Sequence, residues 1–577
     1  MNFQKQIIAA DWMNDASDYL SDACQRGILF ADIFRKRGNN YFETIKKGMP
    51  PVLVFDYEVI MDGSTFDSPV NYDLAKIRPR KTDTIDPEKR PIVVIDPRAG
   101  NGPGISGSKR DSQIGKALAL GHPVYFILFH PEPEPGQTLG DVEKAEIRFI
   151  EEVARRHPNS EKPTVIGNCQ AGWAVALLGA DRPDLTGPLV LNGAPLSYWA
   201  GVKGKNPMRY AGGLLGGIWL VSLLSDLGNG TFDGAWLEKN FESLNPGNTL
   251  WTKLYNLYSK VDTEEERYLI FEKWWDGYSE MTKEEMHSTV EDLFVGNKLE
   301  KGKLFLDRKK IFDLQDIKKP MILFASEGDH ITPPQQALNW IIRTYESAEE
   351  IRHLNKVIIY MIHPNVGHLG IFVGSKAAKK EHKEIIKNIN IIDDMSPGLY
   401  EMIIIDKGMK EGVVSDYDVR FEDRNISDLM AMSDGKEELK EEDAYFRRVA
   451  TVSEMNDHLY DTFVSPWVKM FSTETSAGIL KQLHPLRVNK YIFSDRINPF
   501  MSSFRTLAPV VKENRSPVPP DNPFLSLEKN VSDSIVAILD SYQSIRDHFD
   551  ERLFFAIYEN PWMKLLFPGK ITEKDAG

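Results

Sequence analysis

Residues 165–174 read VIGNCQAGWA, and the place of Cys169 in that stretch decides how the chain is read. The residues ahead of it, PTVI (163–166), form a short apolar strand. Those behind it, AGWAVALLGADRP (171–183), read as a helix ending at an Asp-Arg-Pro turn. Cys169 therefore falls at a strand-to-helix junction. Gly167 lies two residues before it, Ala171 two after and Gly172 three after. A sharp turn from strand into helix needs small residues at those places, and it pushes the residue at its apex out of the sheet. At such an apex the helix N-terminus favours a thiolate. The N–H of Gln170 would face a developing oxyanion. A lone cysteine among glycines is also an ordinary buried filler, so the case for a nucleophile depends on partners elsewhere.

Outward from this junction, apolar strands alternate with helices. PVLVFDYEVIMDG (51–63), PIVVIDPRAG (91–100), GHPVYFILFHPEPEPGQ (121–137) and GPLVLNGAPL (187–196) read as strands with turns, and DSQIGKALALG (111–121) reads as a helix. The alternation predicts an α/β fold with a mostly parallel sheet and helices on both faces. The pattern breaks between 196 and 315, which is rich in Trp, Tyr and Gly and reads as helical. It resumes with KPMILFASEGDHITPP (319–334) and NKVIIYMIHPNVGHLG (355–370).

The expected organisation is a helical N-terminal extension (1–50), a first core part (51–195), a helical cap (196–315), a second core part (316–402) and a mainly helical accessory region (403–577). A cap at that point would cover the C-terminal ends of the strands, where such sheets bind ligands. Its aromatic residues Tyr198, Trp199, Trp274 and Trp275 are expected to border the entrance to an apolar site. In the C-terminal region, Ile535, Leu539, Tyr542, Ile545 and Phe549 are expected to share one apolar helix face. YDTFVSPWVK (460–469) and FAIYENPWMK (555–564) echo each other, and their Pro-Trp pairs are expected to anchor helices. That region is expected to dock on the core or on a second copy, giving a homo-oligomer, and to supply no catalytic group.

Composition narrows the function. The net charge is −14, from 84 acidic and 70 basic residues, which argues against a broad nucleic-acid surface. Two cysteines, Cys24 and Cys169, exclude a disulfide framework and a cysteine metal cluster. No HExxH or similar pattern unites the histidines, so no metal is expected. MNFQKQIIAADWMNDASDYL (1–20) lacks a long apolar core, and the run Ala211 to Leu224 is too short to span a bilayer comfortably. These features read as a cytoplasmic protein without a transmembrane segment. DPRAGNGPGISG (96–107) is glycine-rich but lacks the ending of a P-loop. Arg98 and Ala99 in it are candidates for a second oxyanion N–H, and Arg98, Lys109 and Arg110 offer positive charge to an anionic substrate.

Two further loops supply partners for Cys169. Asp329 follows the strand MILFA, and His368 follows VIIYMI. Nucleophile, acid, histidine is the chain order of α/β-hydrolases. His368 would exchange the thiol proton, and Asp329 would fix the imidazole tautomer and stabilise its charged form. His330, next to Asp329, and His363, five residues before His368, are alternatives for acid–base work.

GNCQAG resembles the cysteine-containing lipase box of polyhydroxyalkanoate synthases. GDHITP resembles their catalytic acid segment, and Gly367-His368 their histidine segment. This resemblance spans roughly residues 51–373. VIGNCQAGWA together with PLSYWAG (195–201) is closer still to a DUF3141-type bacterial family related to those synthases. The resemblance implies cysteine-based acyl transfer on 3-hydroxyacyl groups, with a coenzyme A thioester as substrate and no tightly bound cofactor. It also implies an acyl thioester or polyester as the small-molecule partner, and association with storage granules. The box here ends Gln-Ala-Gly where the synthases have a glycine pair, and the region past 403 has no counterpart in them. A Cys-His-Asp hydrolase, a thioesterase or an intracellular polyester depolymerase is the alternative. A non-catalytic granule-associated or binding protein is the third reading.

Overall fold

In a computed structural model, described for residues 2–306, 310–410, 413–433 and 436–567, the apolar runs assemble into one ten-stranded sheet. Its strands in chain order are β1 (Tyr57–Asp62), β2 (Tyr72–Ile77), β3 (Ile92–Ile95), β4 (Val124–Phe129), β5 (Thr164–Asn168), β6 (Leu189–Asn192), β7 (Met321–Ser326), β8 (Val357–His363), β9 (Gly398–Lys410) and β10 (Val413–Asp423). The spatial order is β1-β2-β4-β3-β5-β6-β7-β8-β9-β10. From β4 to β9 all neighbours are parallel. The pairs at the two edges, β1–β2–β4 and β9–β10, are antiparallel. The parallel centre explains the uninterrupted apolar runs: Ile92, Val93, Val94 and Ile95 are all buried because both faces of β3 are covered. This is the α/β-hydrolase fold.

Contacts divide the chain into two compact units. One comprises 51–234, 279–478 and 548–577; the other comprises 1–50, 235–278 and 479–547. The first holds the sheet, flanked by helices α1 (Gln113–Ala119), α2 (Leu139–Arg156) and α3 (Gln170–Asp181). Thr138 and Asp141 close the N-terminus of α2 with a reciprocal capping box. Tyr125, Phe126, Phe149, Phe324 and Trp340 are among the largest side chains wholly removed from water there.

The helical unit gathers Asn2–Lys46, Ala235–Leu244, Lys253–Ser259, Glu265–Trp275, Pro485–Phe493, Ser502–Glu513 and the first part of Pro523–Tyr558. Leu29, Ile33, Phe34, Leu257, Val261, Tyr268 and Ala508 form its apolar centre.

Four sequence expectations change. The sheet continues past 402 through the β9–β10 hairpin. That edge is only partly buried and carries charges among its apolar residues, so it shows no continuous apolar run. The stretch 196–315 is not one insertion: 235–278 belongs to the helical unit. The short antiparallel pair Thr231–Asp233 and Glu280–Thr282 brackets its departure and return. In Pro523–Tyr558, Tyr542, Ile545 and Phe549 are exposed, whereas Ile535 and Leu539 are half-buried. The helix carries two apolar stripes, and periodicity alone merges them. Finally, Trp467 and Trp562 each open a short helix behind a proline but stand 63% and 70% exposed, so neither anchors its helix.

Among the described residues no single helix is long and apolar enough to cross a membrane. A pair bent by 72°, Pro207–Leu214 with Trp219–Leu227, passes by length and composition together.

Candidate functional site at the C-terminal ends of the parallel strands

Cys169 caps α3 with φ 51° and ψ −120°, a backbone conformation that residues with side chains rarely adopt. The surrounding small residues are obligatory. A Cβ on Gly167 would come 2.5 Å from the Ala171 carbonyl oxygen, and one on Gly172 would come 2.1 Å from the Ala194 Cβ. The Cys169 N–H donates to the Asn192 carbonyl on β6 at 2.8 Å, which fixes the apex to the neighbouring strand. Gln170 is the first residue of α3, so its N–H has no carbonyl to bond within the helix.

Asp329 and His368 come from the loops after β7 and β8. His368 Nδ1–H donates to Asp329 Oδ2 at 2.7 Å, and both side chains are buried. The other carboxylate oxygen, Oδ1, accepts the N–H groups of Ile331 and Thr332, each at 2.8 Å. The two loops can meet because Gly328 lies against the backbone of Asn365, where a Cβ would come 2.6 Å from a carbonyl carbon. Ser326 ties them further, its hydroxyl reaching the Val366 carbonyl at 2.6 Å.

Burial alone would depress the His368 pKa. The charge of Asp329 and then that of Cys169, together with the hydrogen bond to Asp329, instead hold it well above the ordinary histidine range. No well-aligned hydrogen bond reaches His368 Nε2 among the described residues. The thiol and the ring are thus neighbours without a closed hydrogen bond, as is common before substrate binds. Gly193, with φ +57°, leaves room for the imidazole: a Cβ there would stand 3.4 Å from its Cε1.

Beneath the apex lies a buried amide network that sequence reading missed. Asn168 Oδ1 accepts from Gln113 Nε2 at 2.8 Å and from Asn192 Nδ2 at 3.0 Å. Asp96 accepts the N–H of Gly104 at 2.8 Å and of Ser106 at 3.3 Å, which shapes the loop holding Arg98 and Ala99. These residues lie on separate strands and helices, so no local motif marks them.

The other candidates divide. Tyr198 is brought to the site. It is buried, and burial followed by the charge of Cys169 lifts its phenol well above the ordinary value. Trp199 is also buried, but its indole donates to the Val295 carbonyl and stacks on Phe446. Trp274 and Trp275 fall in the helical unit, where both pack against Phe271. Arg98 is engaged by Glu285 at 2.5 Å and by the Glu280 carbonyl at 2.7 Å, and Ala99 is buried. Lys109 is half-buried, whereas Arg110 is exposed and lies over the Phe55 ring. His330 is exposed. His363 Nδ1 accepts the N–H groups of Asn365 and Val366, so it shapes its own turn. Among the described residues no three His, Cys, Asp or Glu side chains converge as a metal site.

Fold and site together define an α/β-hydrolase-fold protein with a cysteine at the strained turn from β5 into α3. Within that class the chain belongs to the family described as "Protein of unknown function (DUF3141)", which matches residues 22–576. A Rhizobium meliloti protein, "Uncharacterized protein in ackA 5'region", is 47% identical over 563 residues, covering 97% of this chain and 76% of that one. A "Poly(3-hydroxyalkanoate) polymerase subunit PhaC" from Allochromatium vinosum is 25% identical over 312 residues, covering 53% of this chain and 82% of its own. Among solved structures, naproxen esterase from Bacillus subtilis aligns with a TM-score of 0.33 and 13% identity, covering 61% of this chain and 97% of its own.

Proposed function

We propose that this protein is a cysteine-dependent acyltransferase that takes 3-hydroxyacyl groups from thioesters, with Cys169 as nucleophile, His368 as base and acid, and Asp329 as the group that orients and charges His368. The observation that carries the reading is the 2.7 Å His368–Asp329 hydrogen bond beside a cysteine on a strained elbow. The distant similarity to a protein named as a poly(3-hydroxyalkanoate) polymerase subunit supports the choice of acyl group.

Attack by Cys169 Sγ on the thioester carbonyl forms the new C–S bond while His368 Nε2 takes the thiol proton. The oxyanion would be met by the Gln170 N–H and by an N–H of the 98–99 loop. Collapse breaks the bond to the departing thiol, which leaves with the proton from His368. An acceptor hydroxyl then attacks the acyl-cysteine, giving its proton to His368, which passes it to the departing Cys169 Sγ as the acyl–sulfur bond breaks. Water in the acceptor's place would make the same machinery a hydrolase. Incubation with 3-hydroxybutyryl-CoA, followed for free CoA and for chain-extended product, separates the outcomes. CoA release with extended product supports transfer. CoA release with free 3-hydroxybutyrate alone shows hydrolysis, and release of neither overturns the proposal.

A further inference from the structure

A second polar feature lies next to the elbow. A cavity of about 50 Å³ opens between the start of α3, the loop after β3, helix α2 and the segment around Met281. Gln170 and Ala171, the two residues that follow Cys169, line it. Apolar walls come from Val142, Leu177 and Met281. Two polar groups in it lack protein partners. Glu146 is 2% exposed and feels the like charge of Glu143, with no counter-charge acting on it. Trp173, 9% exposed, presents an indole N–H without an acceptor among the described residues.

A buried polar group without a partner costs stability, and here two of them face one small cavity. The geometry points to this cavity as the pocket for the short acyl chain, with Glu146 and Trp173 reading a neutral oxygen on it, such as a hydroxyl. The inference rests on the acyl-transfer reading above. The volume admits a few water-sized groups, enough for the hydroxyl-bearing end of a four-carbon acyl group. Burial, and secondarily the nearby Glu143, push the Glu146 carboxyl up to about 8. At neutral pH Glu146 is therefore protonated and can both donate to and accept from a hydroxyl, while the indole donates to its lone pair. Arg98 lines the same cavity, but its guanidinium is taken by Glu285 and the Glu280 carbonyl, and Glu146 offers an anion no counter-charge.

Equilibrium binding to the full-length Cys169→Ala protein, measured by titration calorimetry, tests the pocket without turnover. 3-Hydroxybutyryl-CoA is expected to bind about tenfold more tightly than butyryl-CoA, the worth of one or two neutral hydrogen bonds. Adding Glu146→Leu should bring the two ligands to within about twofold of each other. Glu146→Gln, which keeps the hydrogen-bonding shape, should retain most of the preference, and Trp173→Phe should lose part of it. Equal binding of both thioesters overturns the inference, as does a preference that survives both Glu146→Leu and Trp173→Phe. If Glu146→Leu does not fold, Trp173→Phe decides alone. Failure of the functional reading looks different: the native protein would form no acyl adduct on Cys169 while the binding preference persisted.

Discussion

Arg37 and Glu146 are both ionisable side chains withdrawn from water, and their surroundings differ. Arg37, in the helical unit, meets Asp276 at 2.9 Å and Glu272 at 2.5 Å, and Lys490 meets the same Asp276 at 2.7 Å. In that unit Arg26 likewise bridges Asp22 and Glu528, each at 2.7 Å. Glu146, in the sheet-bearing unit, meets the repulsive charge of Glu143 and no counter-charge that offsets its burial. His382 of that unit bonds the Ile371 carbonyl at 2.6 Å, and burial pushes its pKa down to about 4. A buried group stays charged only where a partner offsets desolvation. The helical unit satisfies that condition with paired charges that hold helices together. Around the strand ends of the other unit Arg98 is paired with Glu285 in the same way, but burial favours the neutral forms of Glu146 and His382, and at His368 Asp329 reverses the effect of burial. Paired charges hold the helices of one unit together, whereas beside Cys169 a single carboxylate, Asp329, sets the state of one histidine.

The largest effect that could break this contrast is at the histidine. His368→Ala should lower turnover of a 3-hydroxyacyl thioester about 10³-fold or more, with little change in unfolding midpoint. A fall of less than about tenfold would place the acid–base group elsewhere. Arg37→Met should do the reverse. It leaves Asp276 and Glu272 buried with fewer partners, at a cost of about 3–5 kcal/mol in chemical denaturation. Once folded, the variant should still acylate Cys169, and loss of acylation in the folded protein would give the helical unit a part in the chemistry.

The pH dependence of stability sharpens the comparison more gently. Glu146 binds its proton more tightly in the fold than in the unfolded chain. Its contribution is therefore full below about pH 4.5 and is lost as pH rises towards about 8. Glu146→Gln should remove that slope, gaining at most roughly 5 kcal/mol at pH 9 and almost nothing at pH 4. His382 runs the other way, because the unfolded chain binds its proton more tightly. Stability is lost as pH falls from about 6.5 to about 4, and His382→Gln should flatten that interval. Denaturant titrations across pH 4–9 read both slopes, and slopes unchanged by the substitutions would contradict the assigned neutral states.

What could be read from sequence was local. The elbow is a run of six residues whose glycines are dictated by close contact, Gly167 with the Ala171 backbone and Gly172 with Ala194. Asp329 and His368 each sit one turn beyond an apolar strand, so chain order alone suggested their meeting. Asp96, Gln113, Asn168 and Asn192 were not legible, because their amide network is made by elements up to about a hundred residues apart. The cavity at Glu146 was hidden for the same reason: Glu146 reads as one more charge on an amphipathic helix until Trp173 and Met281 close around it. Trp274 and Trp275 were misplaced because nothing in residues 235–278 signals that this stretch leaves the sheet-bearing unit. The outer face of Pro523–Tyr558 was misread because two apolar stripes share one helical period.

The central claim is that Cys169 forms the covalent acyl intermediate. Intact-mass and peptide analysis of the protein quenched during turnover of 3-hydroxybutyryl-CoA tests it most directly. An acyl adduct is expected on the peptide containing residues 165–174, absent from Cys169→Ala and accumulating when acceptor is withheld. An adduct on another residue, or full turnover by Cys169→Ala, would contradict it.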